Sequence, residues 1–278
     1  MIGKIKLLGL LMAIVLFAVS GKVDAAPNSS ANWNTNTIQA TGMGVANPAM
    51  ATTPAHAAML ARQAAIADAY RHLAEAVNGV QVDAETTVEQ MMLTSDVVKT
   101  RVSAVIRGAR IVSEGELTGG GYSVTMEIPL FGGSGGLAEA VIERPAYVEP
   151  FPTPAPDYRP PVTENHPTVG GYTGLIVDCR GLGTINPVMS PVIKKVGGQK
   201  IYGHKNLDYQ RIIEEGMASY AENMSQAARA GSNPLVVKAV ALDDLNANPV
   251  ISAADADLVL YENGKSHFLD NIAVVFLQ

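Results

Sequence analysis

The apolar positions of the chain change their period several times, and each change marks an expected element. "TIQATGMGV" (37–45) alternates apolar and polar residues like a strand with one covered face. Its two glycines imply a bend or the close approach of another backbone. In "TTPA", Thr53 is placed to cap a helix, with Pro54 at the first helical position. Met59, Ile66, Tyr70, Leu73 and Val77 then recur at helical spacing as one apolar stripe, and Asn78-Gly79 supplies a C-terminal cap. The alanines between them permit this helix to lie close on a sheet. "VQVDAETTV" (80–88) returns to period two and predicts a strand with one wet face. "SDVVKTRVSAVIRG" predicts a second helix, capped by Ser95 or Asp96, with Val98, Val102 and Val105 on one side and Gly108 as its stop. "ARIVSEGELTGGGYSVTMEIPL" predicts a hairpin turning at Gly119-Gly120-Gly121, in which Tyr122, Val124, Met126 and Ile128 share a face against Ser123, Thr125 and Glu127. The expected order is β-α-β-α-β-β.

A second patterned region starts with the strand "YTGLIVDCRG", whose core is Leu175 to Val177, and a tight hairpin at "KKVGGQKIYG". "DYQRIIEEGMASYAENMSQAARAG" predicts one helix, with Ile212, Met217 (or Gly216), Tyr220 and Met224 on one side and Gly231 at its end. "NPLVVKAVAL", "DADLVLYENGKSHFL" and "NIAVVFL" supply further strands, with a hairpin turn at Asn263-Gly264. Between the two regions stand "GGSGG", a short helical "LAEAVIE" and a stretch holding eight of the sixteen prolines, from Pro145 to Pro167. Proline at that density fixes φ and removes donors, so an extended, semi-rigid spacer is expected. The expected fold class is α+β in two small domains, 32–131 and 172–278, each a mainly antiparallel sheet packed with one or two helices. A Gly/Pro-rich linker, 132–171, joins them.

Composition fixes the compartment. "MIGKIK", an apolar run of 14 residues and "GKVDAA" form the three parts of a secretory signal peptide, 1–25, with Val23 and Ala25 placed for cleavage before Ala26. That run is shorter than the ~20 residues that span a bilayer. An exported protein of the periplasm or cell envelope is therefore expected. The formal net charge of −6, without a basic stripe, argues against nucleic acid as a partner. Cys179, the only cysteine, lies far from the signal peptide and has no partner for an intrachain disulfide.

On "ARQAAIADAYRHLAEAVNGVQVDAETTVEQ", "SDVVKTRVSAVIRGARIV" and "GYSVTMEIPL", the first region resembles the Lpp-twenty family of small bacterial envelope lipoproteins, related to the flagellar envelope families FlgP and FlgT. "YTGLIVDCRGLGTINPVMSPVI", "NPLVVKAV" and "VISAADADLVL" resemble a C-terminal module attached to such domains in exported proteins. The resemblance implies an envelope protein that works through protein–protein contacts, by self-association or with other envelope proteins, with flagellar assembly as its most specific version. Ala25 and Ala26 stand where lipoproteins of the family carry a cysteine, so lipid anchoring is not implied here; peripheral outer-membrane contact is.

Little catalytic chemistry is legible. "GGSGG" matches the form of a serine nucleophile elbow but lacks the scaffold that would aim Ser134. His56, His72, His166, His204 and His267 never recur at i,i+4 spacing, so no metal site is expected. "GMGV" lacks the third glycine of a dinucleotide loop. The candidate ligand site is therefore the pair Asp255 and Asp257, expected on one face of a strand, with Asp178 and Arg180, expected to form an ion pair beside the glycine-rich "GLG". No cofactor is expected. The leading expectation is a non-catalytic structural component; the alternative is a periplasmic ligand-binding module or enzyme using those four residues.

Overall fold

The computed structural model describes residues 29–118, 120–160 and 171–278. The expected signal peptide with its Ala25–Ala26 cleavage site, Gly119, His166 and the end of the proline-rich stretch lie outside these residues.

The first sheet is built from β1 (Ser29–Asn32), β2 (Thr37–Val45), β3 (Arg110–Leu117) and β4 (Gly121–Pro129), in the order β1-β2-β4-β3 with every pair antiparallel. Helices α1 (Pro54–Asn78), α2 (Val88–Thr94) and α3 (Asp96–Arg107) intervene between β2 and β3. Helix α1 starts as expected: the Thr53 hydroxyl accepts from His56 N at 3.1 Å, and Pro54 needs no donor there. Its buried stripe differs from the expected one. Ala61, Ala65, Ala69, Leu73 and Val77 face the sheet, whereas Met59 is 62% exposed. The cause lies opposite, on β2. A Cβ at Gly42 would stand 2.1 Å from Ala69 N and 2.3 Å from Ala65 O; one at Gly44 would stand 2.2 Å from Ala61 O. Helix and strand backbones touch, and only glycine facing alanine allows it.

"VQVDAETTV" is a turn and a helix start, not a strand. The Asp83 carboxylate accepts from Glu85 N and Thr86 N, both at 2.9 Å. Thr87 and Gln90 then close a reciprocal capping box that opens α2. Side-chain bonds to nearby backbone outcompeted the ladder that the alternation suggested. Gln81 keeps a single bridge to Thr87.

Beyond β4 come α4 (Leu137–Val141), β5 (Gly174–Asp178), β6 (Ile193–Lys195), β7 (Lys200–Tyr202), α5 (Tyr209–Glu215), β8 (Ser219–Ala221), β9 (Pro234–Asp243), β10 (Asn248–Ile251), α6 (Ala253–Ser266) and β11 (Val274–Leu277). Their sheet runs β7-β6-β10-β9-β5-β11-β8. The α+β class holds, but a mainly antiparallel sheet holds only for the first unit. Here β6–β10, β9–β5, β5–β11 and β11–β8 are parallel, and β7–β6 and β10–β9 antiparallel. The unbroken apolar runs of β5 and β11, buried on both faces, are what parallel strands need.

Two further expectations fail here. The long helix from 209 stops at Glu215, because Gly216 takes φ +74° and ψ 165°, a backbone region open to glycine alone; β8 follows directly. "DADLVLYENGKSHFL" is helix α6, not two strands. Ser252 caps it, accepting from Asp255 N at 3.0 Å, and Asn263-Gly264 lie in its last turns instead of a hairpin. A short apolar run does not by itself distinguish strand from helix.

The expected spacer is, in its first third, part of the core. Leu137, Ala138, Ala140, Val141 and Ile142 are buried, and Gly132 N and Gly133 N both donate to Ile213 O at 3.0 Å. Phe131 packs on Gly216, Trp33 meets Tyr220 edge-on at 5.7 Å, and one hydrophobic core runs continuously through both sheets. Farther along, Phe151 stacks on Tyr202, and Tyr158 meets Tyr261 edge-on.

Gly42→Ala is expected to lower the unfolding free energy by about 3 kcal/mol, whereas Gly115→Ala, at an open position, changes it by less than about 0.5 kcal/mol; urea midpoints measure both. The shared core predicts coincident unfolding by Trp33 fluorescence and far-ultraviolet dichroism. Phe131→Ala should cost about 3–5 kcal/mol and pull the two curves apart.

Candidate functional site

The four candidate residues each have local work. Asp178 ends β5, and Arg180 folds back on it: Nη2 donates to Oδ2 at 2.7 Å, Nε to Oδ1 at 2.9 Å, and the Arg180 amide to Oδ1 at 3.1 Å. The expected ion pair is present, and its hydrogen bonds from Arg180 hold the Asp178 carboxyl below its ordinary value. Asp255 belongs to the cap of α6, accepting from Ser252 Oγ at 2.7 Å. Asp257 accepts from Ala155 N at 3.0 Å and so pins the proline-rich stretch to α6. Because α6 is a helix, residues two apart point to different sides, so Asp255 and Asp257 do not share the face a strand would give them. No hydrogen bond or ion pair among the described residues joins the Asp178–Arg180 pair to either of them.

The other candidates resolve similarly. Ser134 is exposed in the glycine turn ahead of α4, a helix of five residues, so no nucleophile elbow forms. His72 Nδ1 donates to Thr41 O at 2.9 Å and its Nε2 accepts from Arg71, which ties α1 to β2. Cys179 is fully buried between Asp178 and Arg180, and burial pushes its thiol up to about 12. Such a thiol carries no thiolate at neutral pH and is inert.

A site that no sequence pattern announced opens where α3, α4 and α5 meet. It is a crevice of about 810 Å³ whose walls include Arg101, Val105, Glu139, Ile142, Arg144 and Tyr209. The Arg144 guanidinium stands 5.3 Å from the centre of the Tyr209 ring, and Glu139 accepts from Gly135 N. Its lining comes from three separated segments, which is why periodicity gave no signal for it. The crevice is open, with exposed charges at its rim and an apolar floor.

Residues 29–128 match the family model of the LPP20 lipoproteins. Over these residues the chain is similar to the LPP20 lipoproteins. Residues 174–278 match a model named for the second domain of Treponema pallidum Tp0624, so a distinct module follows the LPP20 domain. No curated protein matches the chain. The LPP20 match places the chain with exported envelope proteins. No described helix is long and apolar enough to cross a membrane.

Iodoacetamide at pH 8 is expected to leave Cys179 unmodified in the folded protein and to alkylate it fully in urea; mass spectrometry reads the difference.

Proposed function

We propose that this chain is a non-catalytic assembly component of the bacterial envelope, exported by a cleaved signal peptide and acting through protein–protein contacts. The observation that carries this reading is the edge of the LPP20 sheet. Strand β3 is its outermost strand, exposed along nearly its whole length, with Ile111, Val112 and Leu117 at 38–45% exposure. A bulge at Val112 interrupts the ladder with β4, leaving Ser113–Leu117 as a regular open edge on which a copy of the chain or a partner strand can continue the sheet. The sheet face away from α1 is a poor alternative contact because cross-strand bonds occupy its polar groups: Gln39 and Arg110 with Glu127, and Thr41 with Thr125.

The flagellar version of the role rests on family kinship. A second reading, a ligand-binding module, now finds its better location in the crevice between α3, α4 and α5 than near Asp178.

Light scattering and cross-linking capture from native envelopes test the proposal together. The expected result is an oligomer or captured envelope subunits, reduced by roughly tenfold in affinity when Val112→Lys and Leu117→Lys place charge on the exposed edge strand. A monomer that captures nothing, or assembly indifferent to those substitutions, overturns it. Flagellar subunits among the captured proteins would establish the narrower role.

A further inference from the structure

We infer that two hollows beside Trp33 form a binding site for an uncharged saccharide. Trp33, the one tryptophan of the chain, sits in the turn between β1 and β2. The Asn32 side-chain oxygen builds that turn, accepting from Asn34 N at 2.9 Å and from Thr35 N at 3.1 Å. Hollows of about 330 and 310 Å³ open there, and Trp33, Asn34 and Tyr220 belong to the walls of both. Each has the size of a small-ligand site, from ~300 Å³ upward.

The aromatic part of the site is held still. Trp33 meets Tyr220 edge-on at 5.7 Å, and Tyr220 meets Phe276 in the same way. The Tyr220 hydroxyl is engaged inside the protein, accepting from Val188 N at 2.9 Å and donating to Val188 O at 3.1 Å. Tyr220 therefore offers a ligand its ring and not its oxygen. A rigid aromatic pair loses little conformational freedom when a ligand settles on it.

The rest of the lining selects the ligand. No described residue in either wall has a charged side chain, unlike the crevice between α3, α4 and α5 with its arginines and glutamates. An ionic ligand would lose its hydration there without a counter-charge. A purely apolar one would leave polar side chains unpaired. Among the described residues, the side chains of Asn34 and Ser219 make no hydrogen bond, and Gln226 engages only its Oε1, which accepts from Glu222 N at 2.9 Å. Gln278 Oε1, in the wall of the larger hollow, is buried without a donor, and the broad terminal torsion of glutamine lets that amide turn toward one. A pyranose answers this lining. The C–H groups of its ring lie on an aromatic face, and its hydroxyls both give and accept hydrogen bonds, as the amides do.

The site lies at the β1 edge of the first sheet, opposite β3, so it goes beyond strand-edge assembly and does not depend on it. Trp33, as the one tryptophan, reports its own occupancy. The test is fluorescence titration of the purified protein with chitotriose, which carries acetamido groups, and with cellotriose, which carries hydroxyls alone. The expected result is a saturable change in Trp33 emission with at least one of them, and the tighter of the two names the substituent that the amides read. Trigalacturonate, with a carboxylate on each ring, should bind at least about tenfold more weakly. Asn34→Ala removes an exposed, unpartnered side chain; it should weaken binding about fivefold and leave the urea midpoint unchanged. Trp33→Phe, read by saturation-transfer NMR, should weaken binding about tenfold. The protein carrying Val112→Lys and Leu117→Lys should bind sugar as the parent does. No saturable response to either sugar, unchanged binding in either site variant, or trigalacturonate or an uncharged tripeptide amide bound as tightly as the sugars overturns the inference. Lost assembly with retained sugar binding would refute only the assembly reading.

Discussion

The first domain depends on one contact: the backbone of α1 lying directly on the backbone of β2. No side chain separates Gly42 from Ala65 and Ala69, or Gly44 from Ala61. Two polar bonds lock the same surface, His72 to the Thr41 carbonyl and Asp68 to the Met43 amide at 3.0 Å. That approach carries β2 and its neighbour β4 against the helix, so Ile38, Ala40, Val124, Met126 and Ile128 are sealed beneath it. Close packing of small residues trades area per residue for density of contact, and a misfit of one methyl group has nowhere to go.

What the sequence disclosed follows from which signals are local. Thr53, Pro54 and Gly79 bounded α1, and the alternation of "GYSVTMEIPL" placed Val124, Met126 and Ile128 inside, because caps and pleats act over a few residues. On α1, Leu73 and Val77 are buried as expected and the alanines let the helix lie on the sheet, but Met59 is exposed, because β2's glycines turn Ala61, Ala65 and Ala69 inward. Gly216 was legible as a residue but not as a stop, because the Phe131 ring that packs on it arrives from another segment. The same reason hid the crevice lined by Arg101, Arg144 and Tyr209. For the candidate site, the Asp178–Arg180 pair was readable because its partners are two residues apart; the fates of Asp255 and Asp257 hinged on a helix that the pattern had disguised as strands.

The carboxylates that invited chemistry are engaged in capping, pinning and pairing, and the thiol is sealed. Among the described residues, β3 is an edge strand of the first sheet, and Met43 and Val45 on β2 are exposed.

The two family matches end at Ile128 and begin at Gly174, and a reader of domain maps would place a hinge in the interval. Mechanically there is none at its start. Leu130 takes a bond from α4 while its own amide reaches Asn36, and Gly132 and Gly133 grip the far unit through Ile213. The interval between the two matches is therefore packed structure at its start, and the two sheets share one hydrophobic core across it.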